Sequence, residues 1–150
     1  MRLDLYQSET ALIAQEQSSL LDEASERLRE GGVLSRLEQN GVLHALQVLI
    51  ENAVGKAKQL LKASGKQVPL SAYDSFISLV QLGVVSETGL PAWNGAIGLR
   101  NRIVHDYMNI DMQRVLELVK NRQYHFITDF LLEPIRFVNR PDHTELQEKE

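Results

Sequence analysis

The chain has 150 residues, 43% of them hydrophobic and 24% charged, with a net charge of −4 and a sequence pI near 5.6. That is material for one core and one domain, and an acidic balance speaks against a general nucleic-acid coat protein. The lack of cysteine removes disulfides, thiol catalysis and thiolate metal sites. No apolar run reaches the ~18 residues a membrane span needs, and MRLDLYQSET has no apolar core of a secretory signal, so a cytoplasmic location is expected.

Residues 4–30 lack Pro and Gly, and Ile13, Leu20, Ala24 and Leu28 fall on one helical stripe that Gly31-Gly32 should stop. A second helix is predicted from Leu43, Leu46, Ile50, Ala53, Ala57 and Leu60, spaced by threes and fours, ending at Ser64-Gly65. Ser71 with Asp74 reads as the start of a short third helix, with Phe76, Leu79 and Val80 inward and Gly83 as its stop. Pro91 suits the first turn of a fourth, where Trp93, Ile97 and Val104 share a side with Ala96, Leu99 and Ile103. Asp111 is the expected N-cap of a last helix burying Val115, Val119, Phe126 and Phe130, ended by Pro134. No stretch alternates with period two. The expectation is an all-α antiparallel bundle of about five helices over residues 1–138, with a polar tail over 139–150.

Charge is unevenly spread. Residues 56–107 hold six Lys/Arg against three Asp/Glu, whereas the segments on either side are net acidic. Within that basic segment lies LRNRIVHDYMNID, residues 99–111, dense in donors, acceptors and proton-transfer groups. Arg100 and His105, five residues apart, would point about 140° apart on a regular helix. If the helix ends near His105 and the chain runs extended through Asp106, His105 and Tyr107 would project to the same side. Two copies of the chain facing each other would bring two Arg and two His together.

An Arg–His pair with no metal-ligand set suits RNA cleavage by the ribose 2′-OH. His moves the proton, and Arg stabilises charge on phosphorus. The bland alternative is a helix C-terminus, where the dipole favours Arg and His anyway. His44, Gln47, Glu51, Gly55, Lys58 and Lys62 form a polar stripe on the second helix: either a solvated face, or one that puts Glu51 toward the site. Lys56, Lys58, Lys62 and Lys66 are either solvated or placed to hold RNA backbone. The four histidines lack metal-ligand spacings, Trp93 reads as core, and no phosphate-binding glycine loop is present.

The run Arg100-Asn101-Arg102-Ile103-Val104-His105-Asp106-Tyr107 resembles the R-x4-H-x-Y motif of HEPN-domain toxins of the HepT type. Residues 36–138 resemble the family's helices around it, and the first 35 residues match less well. The resemblance implies an all-helical homodimer whose motifs meet in a cleft, with metal-independent ribonuclease activity on tRNA or mRNA and no cofactor. It implies Arg100 and His105 as catalytic and Asn101 as a polar helper; beside it, Glu51 on the polar stripe and Arg102 are candidates for cleft support. It also implies a minimal nucleotidyltransferase antitoxin of the MntA type as partner, in a type VII-like toxin–antitoxin pair, alone or in a larger hetero-oligomer. That partner would transfer AMP to Tyr107. A non-catalytic HEPN subunit of a nucleotidyltransferase is the alternative. Leu99 before the motif is compatible with the family; Gly95 and Gly98 inside the motif helix each cost about 1 kcal/mol against Ala and suggest close helix approach.

Overall fold

A computed structural model describes residues 3–135. The expected domain end at 138, the tail over 139–150 and His143 lie outside them. The described residues form six α-helices and no strand: α1 (Leu3–Arg29), α2 (Arg36–Ala63), α3 (Ala72–Gln81), α4 (Leu90–His105), α5 (Met112–Lys120) and α6 (His125–Leu132). Short 3-10 turns, Glu87–Gly89 and Tyr107–Asn109, flank α4. The all-α bundle is as expected.

The central element is α2, which packs on α1, α3, α4 and α6. Its predicted stripe is buried in full, from Leu43 to Leu60, and is widened by Val42, Ala45, Leu49, Lys56 and Leu61. A capping box at Ser35 and Glu38 starts it: the Ser35 hydroxyl takes the Glu38 amide, and the Glu38 carboxylate takes the Ser35 amide. The chain reverses before it at Gly31-Gly32. Gly31 has φ +85, and a Cβ on Gly32 would sit 2.9 Å from the Arg27 carbonyl oxygen, so both positions favour glycine.

The buried stripe of α1 agrees with the expected one at Ala24, with Ile13 and Leu28 half-buried, but Thr10, Ala14, Ser18, Leu21 and Ser25 make up the rest of it and Leu20 is 54% exposed. Small side chains let α1 approach α5 and α6, and the Ser18 and Ser25 hydroxyls are satisfied there. Thr128 donates to Ser18, and Ser25 donates to the Lys120 carbonyl. Ser71 caps α3 through the Asp74 amide, and Asp111 caps α5 through the Arg114 amide, both as expected.

The single last helix is in fact two. Asn121 caps α5, Arg122 takes φ +54, and α6 starts at His125. Arg122 is held from α1: its Nε donates to Ser25 Oγ at 3.0 Å, and Nη2 lies 3.8 Å from Glu26. The break resets the helical phase, so Tyr124 just before α6 and Ile127 and Leu131 within it are buried, whereas Phe126 and Phe130 are half-buried. Those two rings still pack edge-on against Trp93, which stacks on Phe76 at 4.2 Å. Trp93 is core, as expected.

Lys56 is buried, 1% exposed, which overturns its place in a surface row of RNA-holding lysines. Its ammonium reaches across to the end of α6 and donates to the carbonyls of Phe130 at 2.7 Å and Glu133 at 2.5 Å, with Leu131 at 3.5 Å. These are the carbonyls that a helix C-terminus leaves unpaired. Pro134 follows directly. Among the described residues no helix is long and apolar enough to cross a membrane.

Candidate functional site

The motif occupies the last turn and a half of α4 and the 3-10 turn after it. Trp93, Ala96 and Ile97 bury the first half of the helix. The second half rises away from the core, leaving Val104 41% exposed rather than inward as the spacing suggested. The helix ends at His105, as expected. Asp106 alone is non-helical, at φ −147 and ψ 47, and Tyr107–Asn109 turns back at once. The chain is therefore not extended from His105 to Tyr107, and the period-two argument for a shared side does not hold. Asn109 steadies the turn through its side chain, which donates to Asp106 Oδ1 at 2.8 Å.

Arg100 lies against α2. Its Nε donates to Glu51 Oε2 at 3.0 Å, and its Nη1 donates to Asn101 Oδ1 at 3.1 Å. The same Glu51 oxygen accepts from Gln47 at 3.2 Å. Glu51 thus faces the motif rather than open solvent. Asn101 is half-buried beside the guanidinium, while Arg102 and His105 are exposed with no hydrogen bond or ion pair from their side chains among the described residues. An imidazole so placed is open to a proton from solvent or substrate.

Tyr107 is 49% exposed, and its hydroxyl donates to Asn40 Oδ1 at 2.5 Å. Sequence reasoning missed Asn40, although it lies four residues before His44 and extends the polar stripe of α2 by one turn. On the stripe Asn40, His44, Gln47 and Glu51, the two ends meet the motif: Glu51 holds Arg100 and Asn40 holds Tyr107. Those two anchors are eleven residues apart, about 16 Å along α2. Arg100 and Tyr107 of one chain are therefore held well apart.

A second polar cluster joins α1 to α6. Asp22 Oδ1 accepts from the Tyr124 hydroxyl and lies 3.1 Å from His125 Nε2. Burial alone would raise the Asp22 pKa, but these donors and the Arg122 charge outweigh it and lower it. Burial and the Asp22 contact push the Tyr124 hydroxyl well above the usual phenol range.

Solved structures share the fold. A toxin–antitoxin complex with AMP-PNP superposes with a TM-score of 0.71 at 18% identity, covering 84% of this chain and 97% of its own. A tri-AMPylated Shewanella oneidensis HEPN toxin in complex with MNT antitoxin gives the same TM-score and identity, over 84% and 96%. In sequence, a putative RNase of Archaeoglobus fulgidus is 31% identical over 100 residues, 67% of this chain and 71% of that protein. The mRNA nuclease HepT of Shewanella oneidensis is 28% identical over 92 residues, 61% and 66% respectively. The family model described as ribonuclease HepT-like matches residues 14–133, reaching further into α1 than the resemblance from residue 36 suggested. The chain belongs to the HepT-like ribonuclease family.

Proposed function

We propose that this protein is the toxin of a HEPN–nucleotidyltransferase pair, a metal-independent endoribonuclease acting on tRNA or mRNA. One observation carries the reading: a helix that fixes Arg100 by ion pair to Glu51 ends five residues later in an exposed, unpartnered His105. In the proposed reaction the ribose 2′-oxygen bonds to the adjacent phosphorus and the bond to the 5′-oxygen breaks. His105 takes the 2′-OH proton or supplies one to the leaving oxygen, and Arg100 balances charge on the phosphoryl oxygens. Asn101 holds the guanidinium plane. The products are a 2′,3′-cyclic phosphate and a 5′-hydroxyl. The separation of the Arg100 and Tyr107 anchors favours a cleft shared by two copies, with the exposed motif ends facing each other.

The partner is proposed to be an MntA-type nucleotidyltransferase that transfers AMP to Tyr107. The solved likeness to an AMPylated HEPN toxin bound to an MNT antitoxin supports this, as does a Tyr107 side chain that is 49% exposed, with a hydroxyl tied only to Asn40 among the described residues. A phosphodiester there adds negative charge and bulk at the mouth of the cleft and repels RNA.

The test is expression of the protein alone beside His105→Ala, with purified tRNA and mRNA as substrates. Wild type should slow growth and leave 2′,3′-cyclic ends in the presence of EDTA, and His105→Ala should do neither. Equal growth and no cleavage would leave the non-catalytic subunit as the better reading. Tyr107→Phe should keep activity and escape the antitoxin; silencing of Tyr107→Phe by AMP transfer would move the modification elsewhere.

A further inference from the structure

Arg100 and Asn101 form one end of a groove of about 600 Å3 between α2, the start of α3 and α4. Its size lies within the ~300–1,000 Å3 typical of small-ligand clefts. Glu51 and Lys58 of α2 line one wall, and Leu70 and Tyr73 the other. The Glu51 charge is matched by Arg100. Lys58 spends one proton on the Leu70 carbonyl at 2.9 Å and has no carboxylate partner among the described residues, so the groove carries a net positive charge. Beside this cation lie two exposed residues with apolar side-chain surface: Leu70, 96% exposed, and Tyr73, 38% exposed. Tyr73 leans on α4 where Gly98 leaves room; a Cβ at 98 would lie 3.7 Å from its hydroxyl.

A flat aromatic face and an open aliphatic one, next to an unmatched ammonium and a guanidinium, suit one nucleotide of a single strand. The base stacks, and the phosphate meets the cation. We propose that this groove is a nucleotide subsite, holding a base that flanks the cleaved phosphate against Tyr73 and Leu70, with Lys58 on the backbone. The inference deepens the ribonuclease reading and rests on it. Tyr73 then biases which sequence is cut without touching the reacting atoms.

The probe is a fluorescent 2′-O-methyl oligonucleotide, which lacks the attacking hydroxyl and reports binding without cleavage. Tyr73→Leu keeps an apolar side chain and removes the flat ring, so it should raise Kd about tenfold, while Tyr73→Phe should bind as wild type. Lys58→Gln should weaken binding and flatten its salt dependence by about one phosphate contact. On unmodified RNA, Tyr73→Leu should raise KM with little change in kcat and shift the mapped cut sites. Unchanged Kd and cut sites in Tyr73→Leu, or a wild type that does not bind the oligonucleotide, would overturn the subsite. A wild type that binds but never cleaves leaves the subsite standing and removes the ribonuclease reading.

Discussion

Glu51 holds Arg100 through a single oxygen that Gln47 also uses, so one carboxylate sets the direction of one guanidinium. Both side chains are partly open to water, and the pair contributes little to stability. Its value is in orientation. Glu51→Gln keeps the shape and a carbonyl acceptor but drops the charge. We expect kcat on RNA to fall about tenfold with KM and the melting temperature nearly unchanged, since a loosened arginine costs transition-state stabilisation first. Full activity in Glu51→Gln would make the contact incidental. The sequence placed Glu51 on the right face of a helix but left open whether that face was wet. Asn40 was not legible, because its partner Tyr107 lies 67 residues away in a turn whose direction no local spacing sets.

Elements with their own signals were legible. The threes and fours of α2, the Ser71 and Asp111 caps, and the end of α4 at His105 all follow from residues inside or next to the helix. The α5–α6 break was hidden because Val115, Val119, Phe126 and Phe130 keep helical spacing across it, with no Gly or Pro between. Its cause is tertiary: Arg122 is drawn to Ser25 and Glu26 of α1. The end of α6 likewise depends on α2. Burial pushes the Lys56 ammonium down to about 8, against an upward pull from Glu133. Lys56→Met would take this donor from the Phe130 and Glu133 carbonyls, while the Leu131 carbonyl keeps Gln7 Nε2 at 3.0 Å, for a loss of about 2 kcal/mol or more. An unfolded lysine titrates near 10.5, so between pH 8 and that value the unfolded chain holds the extra proton. Wild type should therefore gain stability over Lys56→Met as pH rises through that window. Denaturant titrations at pH 7.5 and 10 check it, and a gap that narrows would contradict the assignment.

At the scale of the molecule, α2 is the post on which α1, α3, α4 and α6 rest, and one side of α4 is left open. This helix packs on α2 and α3, but an open groove of about 630 Å3, lined by Gly95, Ala96 and Leu99, separates it from the α5–α6 junction. The glycines of α4 read from sequence as marks of close helix approach, yet a Cβ on Gly95 would meet nothing within 4 Å in this chain. Gly95 is thus a one-carbon gauge of what is seated there. In a lone protomer Gly95→Ala should raise the melting temperature by about 3 °C, because alanine is worth about 1 kcal/mol more in a helix. If a second copy rests on that face, the added methyl has to be accommodated between two surfaces. The gain would then shrink as protein concentration rises. A gain independent of concentration would mean that two copies, wherever they meet, leave this face bare.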